Sequence, residues 1–314
     1  MQLVNLGTTP KLDSMLPRSL THHWTCIVAL TLAAWSPWSL GADKYAPLAM
    51  NGSLALPSQS GTFERLGSVE GGPSFSAYLL AYQHAGLRLK ALVAVPLTPA
   101  PPQGYPVLLV NHGFHPDPPR YGITPEGRNW RPGNYYRAVP AAYAAAGFLV
   151  MMPDYRGHND SDGLNFVNGP MAIGHYAEDV VALLAVIRSM GQGDIQNMFM
   201  WGHSMGGPVT VKAALMAGQS QVMVRGASLW STASVHDDLT DLTTPLLLQH
   251  AVGDKSAGYL NSVQLDSALA ARGKAHAFES FPGSDHFFLG AQFDTAVARD
   301  VAFFRGLMTP ATTR

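Results

Sequence analysis

From Pro106 to Leu307 the chain alternates short apolar runs with segments whose apolar residues recur at helical spacing, which confines it to few architectures. The runs are Pro106–Asn111, Phe148–Pro153, Asn197–Trp201, Val224–Trp230, Thr244–His250 and Ala277–Phe281. They are short for helices, and runs such as PVLLVN and FLVMMP lack polar alternation, the pattern of a strand covered on both faces. Between them Tyr136–Ala146, Ile173–Met190, Pro208–Ala217, Ser262–Arg272 and Thr295–Leu307 read as helices, the first ending at Gly147, a natural C-cap. Strands separated by helices pair in parallel, so the expectation is an α/β chain, a mostly parallel sheet with helices on both faces. Upstream, Phe75–Tyr82 and Leu87–Pro96 flank a turn at His84-Ala-Gly86 and predict an N-terminal antiparallel hairpin. Residues 43–72, rich in Gly, Ser and Pro, read as an irregular arm, and nothing in 73–314 marks a second domain.

Residues 1–42 differ from the rest. A weakly basic stretch with Lys11 and Arg18 precedes the apolar run Cys26–Trp35, and small residues follow up to Ala42. That order is the layout of a secretory signal peptide cut near Ala42, with Met15 as an alternative start. The run is too short for a membrane span, which needs about 20 residues, so no stable anchor is expected and the protein is expected to be exported, periplasmic or secreted. Cys26 is the only cysteine of the chain, so the body from residue 43 has neither a disulfide nor a thiolate metal site. Twenty basic against 21 acidic side chains, with no Lys/Arg run, exclude an electrostatic nucleic-acid footprint. With 47% apolar residues the chain is no disordered protein.

The segment that speaks to chemistry is Gly202-His-Ser-Met-Gly206, a G-x-S-x-G between a strand and a helix. In that context the tight turn lifts the Ser204 hydroxyl above the sheet edge, and the glycines permit the close packing. A hydroxyl is a poor nucleophile until a base takes its proton, and the base needs an acid to hold its tautomer. On this architecture the acid and then the histidine follow the serine along the chain. Asp254, in the loop after Thr244–His250, and His286, after the last strand, stand in that order. Asp254 beside Gly253 is equally a turn-forming residue; Asp237 and Asp238 are reserve acids, and Asp285 lies too close to His286 in sequence to reach its ring. Oxyanion donors are expected from the backbone N–H of Met205, after the nucleophile, and of Phe114, in the loop after Pro106–Asn111.

Five segments in order, N-H-G-F (111–114), P-D-Y-R-G-H (153–158), G-H-S-M-G-G (202–207), Gly253-Asp254 and Ser284-Asp-His286, resemble the α/β-hydrolase superfamily. Their spacing, with Tyr176-Ala-Glu-Asp-Val180, looks most like the catalytic domain of the prolyl oligopeptidase and dienelactone hydrolase branch, over roughly residues 75–307. The resemblance implies a serine hydrolase fold and activity, and makes Asp154 and Arg156 structural or site-bordering. Two departures weigh against peptide substrates. There is no N-terminal propeller, and no Glu-Glu pair of the kind that holds a peptide N-terminus in dipeptidyl peptidases.

Other chemistries find less support. His112, His115 and His158 sit on strand-end loops, but no H-E-x-x-H helix or converging carboxylates accompany them, so no metal is expected. No phosphate-binding loop of the G-x-x-x-x-G-K-[ST] type occurs, and no cofactor is expected. A hydrolase fold used only for binding is the non-enzyme alternative; such modules usually lack a member of the triad. The expected partner is a small ester or a short peptide. His112, His203, Tyr121, Trp130 and Tyr155 are the candidates for lining its pocket, with Tyr135 and Tyr136 adding to an aromatic wall. Ser231–Thr243 leaves room for one short helix at most, so an open site favouring esters over peptides is expected.

Overall fold

The computed structural model describes residues 61–120 and 133–310, apart from Asn168, Gln221 and Ser284. The signal-peptide reading of 1–42 and the first part of the arm, 43–60, lie outside the described residues. In chain order the elements are β1 (Phe63–Gly72), β2 (Phe75–His84), β3 (Leu87–Pro96), β4 (Tyr105–Asn111), α1 (Gly133–Ala145), β5 (Leu149–Asp154) and α2 (Ala172–Met190). Then follow β6 (Gly193–His203), α3 (Gly206–Gln219), β7 (Gly226–Trp230), β8 (Leu246–Ala251), α4 (Leu260–Ala271), β9 (His276–Phe281) and α5 (Ala291–Leu307). The nine strands make one sheet in the order β1-β2-β3-β5-β4-β6-β7-β8-β9. From β5 to β9 every neighbouring pair is parallel. β2 and β3 form the antiparallel hairpin that the sequence predicted, and the β1–β2 and β3–β5 pairs are antiparallel too. At the hairpin tip Ala85 and Gly86 both take positive φ, 49° and 78°, the backbone that matches a two-residue turn to the twist of its strands.

One expectation fails. Residues 63–72 are not an irregular arm but the edge strand β1, paired with β2 from Phe63 opposite Tyr82 to Gly72 opposite Phe75. Both faces of β1 are largely exposed, so its sequence carries no apolar alternation to betray it. Hydrogen bonding to β2 decides its conformation, and two register shifts, between Arg65 and Gly67 and between Val69 and Gly72, kink it as bulges often do at sheet edges.

The central strands are buried on both sides and feed two cores. Val107 and Leu109 of β4, Leu149 and Met151 of β5, and Met198 and Met200 of β6 face α2 and α3. Their alternates Leu108, Val110, Val150, Met152, Phe199 and Trp201 pack on the other side with Tyr143 of α1 and Phe304 of α5. This is the period-2 consequence of continuous apolar runs in a two-faced sheet.

The second core has a polar hub. Asp300 of α5 is fully buried and accepts from Ser228 Oγ at 2.6 Å, Gln249 Nε2 at 2.7 Å, Trp230 Nε1 at 2.8 Å and the Tyr143 hydroxyl. It thus ties α5 to β7, β8 and α1. Burial lifts its carboxyl to about 7 against the pull of those donors. Asp300→Ala leaves buried donors without an acceptor and is expected to cost about 3 kcal/mol or more, read as a fall in urea midpoint at unchanged slope. A carboxyl with a raised folded-state pKa contributes most below its unfolded value and loses that contribution as pH rises through about 7. The difference between variant and parent should therefore be largest in acid.

Candidate active site

At the end of β6 the chain reverses into α3 within two residues, and the turn needs its glycines. A Cβ on Gly202 would lie 2.3 Å from the Gly206 carbonyl oxygen, and one on Gly206 would lie 1.9 Å from that of Asn111. The first turn of α3 is thereby pressed against the exit of β4, where His112, Gly113 and Phe114 follow. Ser204 itself takes φ 54°, a left-handed conformation that costs a non-glycine residue about 1–3 kcal/mol. Three backbone bonds hold it there. Its N–H donates to Trp230 O at 3.0 Å, and its own carbonyl accepts from Gly207 at 3.0 Å and Ala233 at 2.9 Å. Ser204 is partly exposed, and Met205 beside it caps α3, where backbone N–H groups lack intrahelical partners.

The Asp254 loop leaves the end of β8. Its Oδ1 accepts from the backbone N–H of Ser256 at 2.7 Å and Ala257 at 3.1 Å. Its Oδ2 accepts from His286 Nδ1 at 2.6 Å and lies 3.2 Å from His250 Nε2. Burial alone would raise this carboxyl, but the bonds from His250, His286 and Ser256 outweigh it and hold Asp254 below the usual carboxylate range. It is an anion aimed at the Nδ1 edge of the His286 ring. With Nδ1 donating to a carboxylate, a neutral His286 keeps Nε2 as a lone-pair acceptor, the tautomer a general base needs.

His286 is also held from the elbow. His203 Nε2 donates to the His286 carbonyl at 2.9 Å, and the two rings lie 4.6 Å apart. His203, the residue before Ser204, thus packs on His286. No hydrogen bond joins Ser204 Oγ to His286 among the described residues; such contacts commonly tighten only when substrate is bound.

Comparisons with known proteins bear on the fold. A family model described as Serine aminopeptidase, S33 (Hydrolase_4) matches residues 126–234, which includes the elbow and stops short of Asp254 and His286. No curated protein sequence matches the chain. Among solved structures, acetyl xylan esterase 1 from Thermoanaerobacterium sp. is 15% identical with a TM-score of 0.56, over 78% of this chain and 88% of that one. An acylaminoacyl peptidase of Pyrococcus horikoshii is 16% identical with a TM-score of 0.56, over 77% and 43%. Dipeptidyl peptidase 4 of Porphyromonas gingivalis is 13% identical with a TM-score of 0.57, over 79% and 44%. The chain has the α/β-hydrolase fold. It spans less than half the length of these two peptidases.

Within this fold, three of the pocket candidates are buried. His112 and Tyr155 are fully buried and stacked on each other at 4.1 Å, with His158 and Tyr176 packed around them. His203 is buried too, turned to the His286 carbonyl. None of the three side chains is exposed in this conformation. Strand-end position was visible in the sequence, but which way each ring turns is set by tertiary packing. Tyr121 and Trp130 lie outside the described residues, as do the side chains of Tyr135 and Tyr136. Phe114 is well exposed, as a residue bordering a site would be.

The reserve acids are engaged elsewhere. Asp237 pairs with Lys212 Nζ, and Asp238 accepts from Thr240 at 2.7 Å. Asp285 turns to the backbone N–H of Phe287 and Leu289. Arg156 grips buried Asp179 through Nη2 at 2.6 Å and Nε at 3.0 Å, so it braces the loop after β5. In that loop burial raises Asp154 to about 7 and lowers His158 to about 4, so at neutral pH His158 is uncharged. No cluster of three or more His, Cys, Asp or Glu suited to a metal occurs among the described residues. The sequence reading missed His250, whose contact with Asp254 was signalled only by a polar ring near the end of the strand before it.

Proposed function

We propose that the protein is a serine hydrolase that cleaves carboxylic esters through an acyl-enzyme, with Ser204 as nucleophile, His286 as general base and Asp254 as its orienting anion. The observation that carries the proposal is the 2.6 Å bond from His286 Nδ1 to Asp254, beside a serine held at φ 54° on a strand-to-helix turn. In the first half-reaction His286 Nε2 takes the Ser204 proton as Oγ adds to the ester carbonyl. The N–H groups of Met205 and Phe114 receive the oxyanion, and the imidazolium returns its proton to the leaving alkoxide. Water, deprotonated by the same nitrogen, then hydrolyses the acyl-enzyme.

Esters are favoured over amides because β7 and β8 are joined by a loop without a helix, so no lid stands at that point to grip an extended chain. Amides are harder to cleave, and remote binding contacts supply the difference. The second reading, a short-peptide hydrolase, draws on the family model's description as a serine aminopeptidase. The test compares kcat/KM for a short p-nitrophenyl ester with aminoacyl and prolyl p-nitroanilides, each corrected for its uncatalysed rate. The ester is expected to win; a corrected advantage for the anilides would replace the esterase reading with the peptidase one.

A further inference from the structure

The mechanism above leaves one buried imidazole unexplained. His250 is fully buried near the end of β8, four residues before Asp254. Its Nε2 lies 2.7 Å from the Ala257 carbonyl and 3.2 Å from Asp254 Oδ2, and its Nδ1 lies 2.7 Å from Ser262 Oγ in the first turn of α4. The partners fix the proton. A carbonyl and a carboxylate only accept, so Nε2 carries a hydrogen, donated to the Ala257 carbonyl with Asp254 Oδ2 3.2 Å away; in a neutral ring Nδ1 then accepts and the Ser262 hydroxyl donates. The two Asp254 oxygens are then divided, Oδ1 to the backbone of its own loop and Oδ2 to two imidazoles.

We propose that His250, with its tautomer set by Ser262, is a positioning residue for the hydrolytic reaction: it fixes Asp254 Oδ2 against His286 and takes a share of that oxygen's charge. The inference rests on the reading of Ser204, Asp254 and His286 as the hydrolytic machinery. Three features point to positioning and not to packing alone. His250 bonds to the same oxygen that holds His286. It clamps both ends of the 254–257 turn at once, through Asp254 and the Ala257 carbonyl. Its outer nitrogen is secured by a hydroxyl that is itself buried, from a different element. A neutral donor beside Oδ2 also withdraws part of the negative charge that would otherwise act wholly on His286. The other charged or titratable groups at this cluster are His203 from the elbow and Tyr259, whose ring meets His250 edge-on at 5.8 Å; Lys255 next to Asp254 is exposed, and Asp285 next to His286 bonds to backbone N–H groups.

The discriminating experiment measures ester hydrolysis against pH for the parent and for His250→Phe, His250→Gln, Ser262→Ala and Ser204→Ala, with a melting curve for each. In His250→Phe we expect kcat to fall about 10- to 100-fold with KM nearly unchanged, as for a misplaced catalytic group. The acid limb of kcat/KM should move to higher pH, because the whole Asp254 charge now favours the imidazolium. His250→Gln, which keeps an N–H donor, should recover part of kcat, and Ser262→Ala should move the limb in the same direction by less. If His250→Phe melts earlier but keeps the parent's kcat and acid limb, the residue is structural and the inference falls. If His250→Phe does not fold, Ser262→Ala decides: a parental kcat and limb in that variant overturn the inference. If Ser204→Ala hydrolyses the ester as fast as the parent, the reading of the machinery itself fails, whatever the His250 variants do.

Discussion

Ser204→Ala is expected to abolish covalent labelling by a fluorophosphonate and to lower kcat by about 10⁴- to 10⁶-fold, leaving the fold intact. The size follows from the role. Removing Oγ removes the atom that forms the acyl bond, so only the oxyanion donors and binding are left to accelerate attack by water. The fold should tolerate the change because the three bonds that hold residue 204 in place run through its backbone, and alanine keeps all three. Alanine at φ 54° carries a strain comparable to that of serine there. A Ser204→Ala protein that still labels at the parental rate would place the nucleophile elsewhere.

Asp254→Asn should cost about 10⁴-fold in kcat. An amide in that place cannot satisfy all its neighbours. With its oxygen towards the N–H groups of Ser256 and Ala257, its nitrogen faces His286 Nδ1 and His250 Nε2, two donors. His286 then has to accept at Nδ1 and carry its hydrogen on Nε2, where it can no longer take the Ser204 proton. The variant should also be less stable than the parent at neutral pH. A carboxyl held below its unfolded pKa contributes stability above that value, so the stability gap should close as acid protonates Asp254. The same kcat loss from Asp237→Asn or Asp238→Asn, with Asp254→Asn active, would identify another acid. Their engagement with Lys212 and Thr240 argues against that result.

Much of this was legible in the sequence because the relevant signals are local. Continuous apolar runs such as PVLLVN and FLVMMP can only be strands covered on both faces, and β4 and β5 fall where they stand. The elbow was readable because glycine is required where backbone meets backbone, as at Gly206 against Asn111. What the sequence withheld depends on partners far along the chain. β1 is a strand because β2 lies beside it, and its own exposed faces carry no pattern. His112 and Tyr155 looked like pocket residues from their positions, yet whether a ring turns to solvent or into a stack of four depends on loops brought together by the sheet. The Asp300 hub joins residues 143, 228, 230, 249 and 300, a set that no window of sequence contains.

Two residues beyond His286, Phe288 is fully buried at φ 50°, with its ring against Trp230 at 5.3 Å and Phe281 at 4.6 Å. Trp230 in turn belongs to the hub around Asp300, in the middle of α5. The short loop that carries His286 is therefore nailed to the second core between β9 and α5, unlike the mobile surface loops on which many functional residues ride. In ensemble terms, a fluctuation that carries the backbone of this loop away has to extract Phe288 from between two aromatic rings, so the loop's backbone opens with the core rather than on its own.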